Sequence, residues 1–235
     1  RIAPSAGKPV IGRPRFGHGI ESVQEIRRDY HVGGAGIGRI PPPVRLGRFD
    51  MRPTRDALRQ RWAGRRVLNL FAYTCGFGVA LEPAAEVVNV DVSASYLAWG
   101  ARNYAHNGLA TAAHSFVKKD AFEYLRVAAK VGNTFDAIVL DPPPFSRGKR
   151  GRARRFAVRD DLPELISAAL VALTDDGELL VATNYEGLDS AAFRSLVTTS
   201  AHGRGRSVSD GWAPGPDYPL APGAVPQMKA AFVGP

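Results

Sequence analysis

A single cysteine, Cys75, stands in 235 residues, which excludes an internal disulfide and a cysteine-built zinc site. Long apolar runs are missing too. The longest, LISAALVAL at 165–173, is about half of the ~20 residues that cross a bilayer. No basic start followed by an apolar stretch and a small-residue cleavage site is present, so a cytoplasmic location in a reducing compartment is expected. The first residue is Arg rather than Met, and the native start is expected upstream of it. His18, His31, His106, His114 and His202 show no metal-ligand spacing, and no metal is expected.

What is present is an ordinary globular balance, 45% apolar and 23% charged, which excludes a disordered or collagenous chain. Acidic residues are in the minority, 22 against 31 Lys and Arg, for a net charge of +9. The excess is blocked rather than spread. Residues 1–66 carry 15 basic and 5 acidic side chains, and RGKRGRARRFAVR at 147–159 carries 7 basic and none acidic. The rest of the chain is net negative. Two positive blocks of this kind suit a polyanion, and Arg147, Lys149, Arg150, Arg152, Arg154 and Arg155 are the candidate phosphate contacts for RNA. The alternative is a solvated, solubilising loop.

Residues 1–46 are rich in Gly and Pro without sustained period, and read as a small N-terminal appendage of β or irregular structure. GGAGIG at 33–38 runs into PPP at 41–43, which no helix follows, so it reads as turns rather than a phosphate loop. Residues 47–235 form the second unit. TRDALRQRWAG (54–64) reads as a helix stopped by Gly64. Strands are expected at 66–72, 86–91, 114–119, 135–141 and 177–184, and helices at 93–109, at AFEYLRVAAKV (121–131), at 161–173 and near 189–200. Two late strands, near 205–212 and 228–233, are expected to form a hairpin at one edge. Tyr96 and Trp99 read as core residues of their helix. Alternating, continuously apolar strands and helices predict an α/β fold: a Rossmann-like, mostly parallel sheet with helices on both faces and a C-terminal antiparallel hairpin.

In such a sheet ligands bind beyond the carboxyl ends of the strands. After the first strand, Gly76 and Gly78 are expected to turn the backbone tightly beside a ligand. Position 81 is Leu where a dinucleotide fingerprint has a third Gly, which argues against NAD and FAD. After the second strand, Asp91 reads as an acceptor for ribose hydroxyls, or as a helix cap. After the third, Asp120 reads as an acceptor for an adenine amino group, or again as a cap. After the fourth comes Asp141, Pro142, Pro143, Pro144 and Phe145. Prolines carry no N–H, so carbonyls, a carboxylate and an aromatic face together suit a planar nucleobase that donates hydrogen bonds.

NLFAYTCGFGVA, VDVSASYLAWGARNYAHNGL, KKDAFEYL and FDAIVLDPPPFSRGKR resemble successive motifs of class I S-adenosylmethionine-dependent methyltransferases. In particular they resemble bacterial enzymes that modify bases of large-subunit ribosomal RNA and carry a DPPxF motif. LGRFDMRPTRDAL resembles the segment that borders the cofactor in that family, and the likeness runs over roughly residues 44–184. It implies S-adenosyl-L-methionine as cofactor, held by Phe71, Tyr73, Thr74, Gly76, Gly78, Asp91, Val92, Asp120 and Ala121, with Phe49, Asp50 and Arg52 at its flank. It implies Asp141, Pro142, Pro143 and Phe145 as the catalytic group around the target base, and ribosomal RNA as partner. The family often has Gly where this chain has Cys75, and many members carry an N-terminal RNA-binding domain larger than 46 residues.

Methylation of a pyrimidine carbon needs a cysteine nucleophile, which in that family follows the fifth strand; VATNYEG here has Asn184 and no thiol. The expectation is therefore an RNA methyltransferase acting on a base nitrogen, with a guanine of large-subunit ribosomal RNA as target. A methyltransferase acting on a small molecule or protein side chain, and a non-catalytic nucleic-acid-binding relative, stay open.

Overall fold

The computed structural model describes residues 51–109, 113–146, 156–211 and 227–235. The 1–46 appendage, Phe49, Asp50 and the six candidate RNA contacts between Arg147 and Arg155 lie outside the described residues.

The first helix, α1 (Arg52–Arg61), starts on Pro53, whose missing N–H costs nothing at a helix start. It begins two residues before the expected span and ends at Trp62, ahead of Gly64. Then follow β1 (Arg66–Leu70), α2 (Gly76–Ala80), β2 (Glu86–Asp91), α3 (Ala94–His106), β3 (His114–Lys118), α4 (Ala121–Lys130) and β4 (Phe135–Leu140). A short antiparallel ribbon comes next, β5 (Phe145–Ser146) with β6 (Phe156–Ala157). The chain closes with α5 (Val158–Val171), β7 (Leu173–Thr183), α6 (Ser190–His202), β8 (Ser207–Asp210) and β9 (Lys229–Gly234).

Seven strands form one sheet in the order β3-β2-β1-β4-β7-β9-β8. The neighbours from β3 to β7 are parallel, and β9 alone runs against the rest, paired antiparallel with both β7 and β8. The expected hairpin exists, with its second strand on the inside. Two elements start earlier than the pattern indicated. Asp160 and Asp161 occupy the first turn of α5, so Asp161 begins no helix but accepts from Ala157 N at 2.8 Å. Leu173 pairs with Phe135, and a register irregularity before Ala137 lets β7 absorb the polar residues 174–178.

Strand alternation buries both faces. Leu68, Leu70, Val88, Val90, Ile138, Leu140, Leu179 and Val181 pack against α4, α5 and α6. Val67, Val87, Ala137, Val139, Leu180 and Ala182 pack against α1 and α2, and α3 closes over Ala72, Cys75 and Phe116. No helix among the described residues is long and apolar enough to cross a membrane.

Glu178 ties α1 to this sheet. It accepts from Arg61 Nε at 2.9 Å and from Trp62 Nε1 at 2.7 Å, and Arg65 lies 3.6 Å away. The Arg61 guanidinium, ahead of the Trp62 and Arg65 contributions, holds the Glu178 carboxyl below its ordinary value of 4.5. A depressed carboxyl contributes stability above that ordinary value and loses it as pH falls through the folded value. Trp62 is fully buried, so Glu178→Ala leaves its N–H unpaired at a cost of about 1–3 kcal/mol. Thermal melts should show that loss at pH 7 and a shallower decline for the variant below pH 4.5.

Candidate functional site

The chain runs outward from β1 to β2 and β3, then returns to β4 on the other side of β1, so the switch point lies between β1 and β4. The segment leaving β1 at that point is strained. Phe71, Tyr73 and Cys75 have φ of 55°, 47° and 59°, a left-handed conformation that costs each side-chain-bearing residue about 1–2 kcal/mol. This is why β1 stops at Leu70 rather than at 72. The expected turn at Gly76 and Gly78 is corrected accordingly: both glycines lie inside α2, and the three side-chain-bearing residues make the turn. Gly78 instead permits close packing, since a Cβ there would meet Asn89 Oδ1 and the Tyr104 hydroxyl at 2.4 Å.

Four contacts hold the strained loop. Tyr73 N donates to Asp91 Oδ2 at 2.9 Å, Ala72 N to Val90 O at 3.0 Å, and Cys75 N to Ala72 O at 2.7 Å. Asn103 Nδ2, from α3, donates to Thr74 O at 2.8 Å. Cys75 itself is fully buried against Gly100, and burial, then the nearby Asp91 charge, push its thiol up and away from the thiolate form. Asn103 and Gly100 escaped the sequence reading. Their signal was a polar residue and a Gly on the face of α3 that also carries Leu97, Ala101 and Tyr104.

Asp91 is the node of the site. While Oδ2 takes Tyr73 N, Oδ1 takes Ser93 N at 2.9 Å. The helix cap is Ser93, whose Oγ accepts from Tyr96 N. Each carboxylate oxygen keeps a lone pair for a further donor. Val92, next in the chain, is 56% exposed. Tyr96 is not core: it is 41% exposed and packs edge-on against Tyr73 with ring centroids 4.5 Å apart. Trp99 is half-buried.

At the end of β3, Asp120 caps α4, its Oδ1 accepting from Phe122 N at 3.0 Å and Glu123 N at 3.2 Å. The cap alternative is thus realised on one oxygen, and Oδ2 has no partner among the described residues. Ala121 is buried beneath it. At the end of β4, Asp141 is half-buried, Pro142 buried, Pro143 exposed, and Phe145 68% exposed. Pro144 O already accepts from Val158 N at 3.1 Å, which removes one carbonyl from the expected acceptor set. Arg52 lies at the start of α1, 3.8 Å from Asp56.

The β5–β6 ribbon was not anticipated. Phe145↔Ala157 and Ser146↔Phe156 pairing roots both ends of the basic segment at the exit of β4. Phe156 is buried, with its ring 5.6 Å from Phe71 and 6.4 Å from Phe122.

The sequence profile of S-adenosylmethionine-dependent methyltransferases matches residues 44–188, which include every strand end described above up to β7. The chain belongs to that family. The chain is 41% identical over 138 residues to "Ribosomal RNA large subunit methyltransferase K" of Neisseria meningitidis serogroup B, covering 58% of this chain and 39% of that one. It is 37% identical over 162 residues to "Ribosomal RNA large subunit methyltransferase I" of Aeromonas hydrophila, covering 68% and 40%. The chain thus spans about two fifths of the length of these two curated relatives. Among solved structures it resembles SMU.776, described as a methyltransferase complexed with SAH, at a TM-score of 0.72 and 26% identity over 81% of this chain and 50% of that one.

Proposed function

We propose that the protein transfers a methyl group from S-adenosyl-L-methionine to a base nitrogen of RNA, with a guanine of large-subunit ribosomal RNA as the target. One observation carries the choice of RNA: the strands β5 and β6, between which six of the seven cations of residues 147–159 lie in sequence, pair with each other directly after β4 and Asp141. Two relatives named as ribosomal RNA large subunit methyltransferases support the same reading.

The donor set fits the cofactor. Asp91 offers acceptors for a ribose diol, Val92 a bare apolar face for a flat ring, and the partnerless Asp120 Oδ2 an acceptor for an amino group, with Ala121 beneath. Thr74 Oγ1 is buried with no hydrogen-bond partner among the described residues, so it can bond a ligand without giving up a contact. Phe71, Tyr73, Thr74, Gly76 and Gly78 would surround the methionine portion, with Arg52 at the flank. When bound, the cofactor supplies a methyl group already activated on a sulfonium.

The protein's task is then placement and exclusion of water. Phe145 offers a face for the base, while Asp141 and the carbonyls of Pro142 and Pro143 accept its N–H groups. A ring nitrogen with a free lone pair needs no base, whereas an exocyclic amine sheds a proton to Asp141 or solvent as it gains the methyl, and Asp141 orients it. Cys75 is no nucleophile for a ring carbon, being buried, protonated and in the β1 loop rather than at the β4 exit.

Incubation with methyl-labelled cofactor and transcribed large-subunit ribosomal RNA tests the reading. One added methyl on a guanosine nitrogen is the expected product. Label on protein or on a small molecule alone would overturn it. Replacing Arg152, Arg154 and Arg155 with Ala should reduce the log–log salt slope of RNA binding by up to about 3, one per lost phosphate contact. An unchanged slope would show that these cations are merely solvated.

A further inference from the structure

We propose that Asn184 reads the target base by donating a hydrogen bond to the guanine O6 carbonyl. This rests on the base-methylation reading above. Asn184 leaves the carboxyl end of β7, the parallel neighbour of β4, where Leu140 pairs with Val181. Asp141 is one residue beyond Leu140 and Asn184 one beyond Thr183, so both emerge at the same edge of the sheet. The pleat also puts them on one face. Val139, Leu180 and Ala182 share the α1–α2 side, whereas Leu140 and Val181 face the other.

The backbone around Asn184 is held on both sides. Thr183 Oγ1 accepts from Tyr185 N at 3.2 Å. The buried Lys229 ammonium donates to Tyr185 O at 3.0 Å and to Gln227 O at 2.7 Å. Between these ties the half-buried Asn184 amide has no partner among the described residues. A fixed backbone and an uncommitted amide are the properties of a recognition group.

What the exit of β4 lacks says what that amide is for. Three prolines carry no N–H, and a carboxylate such as that of Asp141 only accepts. Such a set satisfies the N1–H and N2–H₂ donors of guanine but leaves the adjacent O6 without a donor. Asn184 Nδ2 supplies one from the neighbouring strand. Adenine is disfavoured by the same set, because its unprotonated N1 would face the Asp141 carboxylate.

The test measures methyl transfer to a large-subunit ribosomal RNA transcript by wild type, Asn184→Ala and Asn184→Asp. Asn184→Ala is expected to lower kcat/KM by roughly tenfold to a hundredfold, the usual loss when a polar group of the substrate is left unpaired. Asn184→Asp should be worse, since its charge would oppose O6. Cofactor affinity and melting temperature should stay at wild-type values in both, because the side chain makes no hydrogen bond to any described residue. A transcript carrying 6-thioguanosine, whose sulfur is a weak acceptor, should slow wild type but slow Asn184→Ala no further. Independent, multiplying effects of variant and thio-substitution would overturn the assignment, as would wild-type kcat/KM in both variants. A wild-type protein that binds cofactor yet methylates no RNA would instead overturn the parent reading, and this assignment with it.

Discussion

Gly100→Ala is expected to disrupt the strained loop after β1, and adding Cys75→Gly is expected to restore it. A Cβ at position 100 would lie 2.3 Å from Cys75 Sγ and 2.9 Å from Cys75 Cβ, closer than such atoms approach. Neither side can give way. Cys75 is fully buried with its φ at 59°, and Gly100 sits mid-helix in α3. Overpacking of this kind costs about 1–3 kcal/mol, which lowers the melting temperature of a domain this size by about 2–4 °C per kcal/mol. Cofactor affinity should fall with it, because Thr74 and Tyr73 flank the displaced residue. Glycine at 75 removes both close atoms and adopts a positive φ freely; the remaining neighbour, the Thr74 carbonyl carbon at 3.5 Å, is in ordinary contact. Calorimetry and thermal melts on both single variants and the double variant give the coupling. Simple addition of the two losses would show that this contact does not shape the loop.

Asp91→Ala is expected to weaken binding of S-adenosylmethionine at least tenfold at pH 7. The affinity loss follows from the two charge-assisted hydrogen bonds proposed to the ribose, together about 1.5–3 kcal/mol. On stability two effects oppose each other: the loss of the bonds from Tyr73 N and Ser93 N, and the removal of a buried charge. Burial, only partly offset by the N–H groups of Ser93, Tyr73 and Val92, holds Asp91 above its ordinary value of 3.8. A raised carboxyl favours the folded state below that value and loses the advantage as pH rises through the folded one, so at neutral pH its charge weighs against folding. Calorimetry that returned wild-type affinity would remove the ribose assignment.

The strands were legible because a sheet covered on both faces leaves continuous apolar runs such as FDAIVL. The carboxylates at their ends could be located for the same reason, since a charge directly after such a run can only sit at the sheet's edge. Backbone conformation was not legible. Glycine is the usual left-handed residue, so Gly76 and Gly78 attracted the turn that Phe71, Tyr73 and Cys75 make under tertiary constraint. Exposure was misread at Tyr96, whose helical spacing matches that of core residues but whose place on α3 is at the rim beside Tyr73. The two-residue strands β5 and β6 are too short to leave a period. Asn184 was noticed only for the thiol it replaces; its fixed neighbours are visible only once Lys229 is placed 44 residues away from Tyr185.

The position of β9 governs how the sheet is completed. Because β9 lies between β7 and β8, those two strands never touch, and β8 has no sheet partner until β9 is seated. The five parallel strands can assemble from successive strand–helix units. The last two, which end at Asp210 and begin at Lys229, must then meet across a wide sequence separation, which is slow relative to local contacts. Until that happens the outer edge of β7 offers LLVAT, five residues with unpaired backbone groups and nearly continuous apolar side chains. Such an edge invites pairing with another molecule. Substitutions that loosen β9, even ones far from any ligand, are therefore expected to show themselves as aggregation during synthesis before they show themselves as lost turnover.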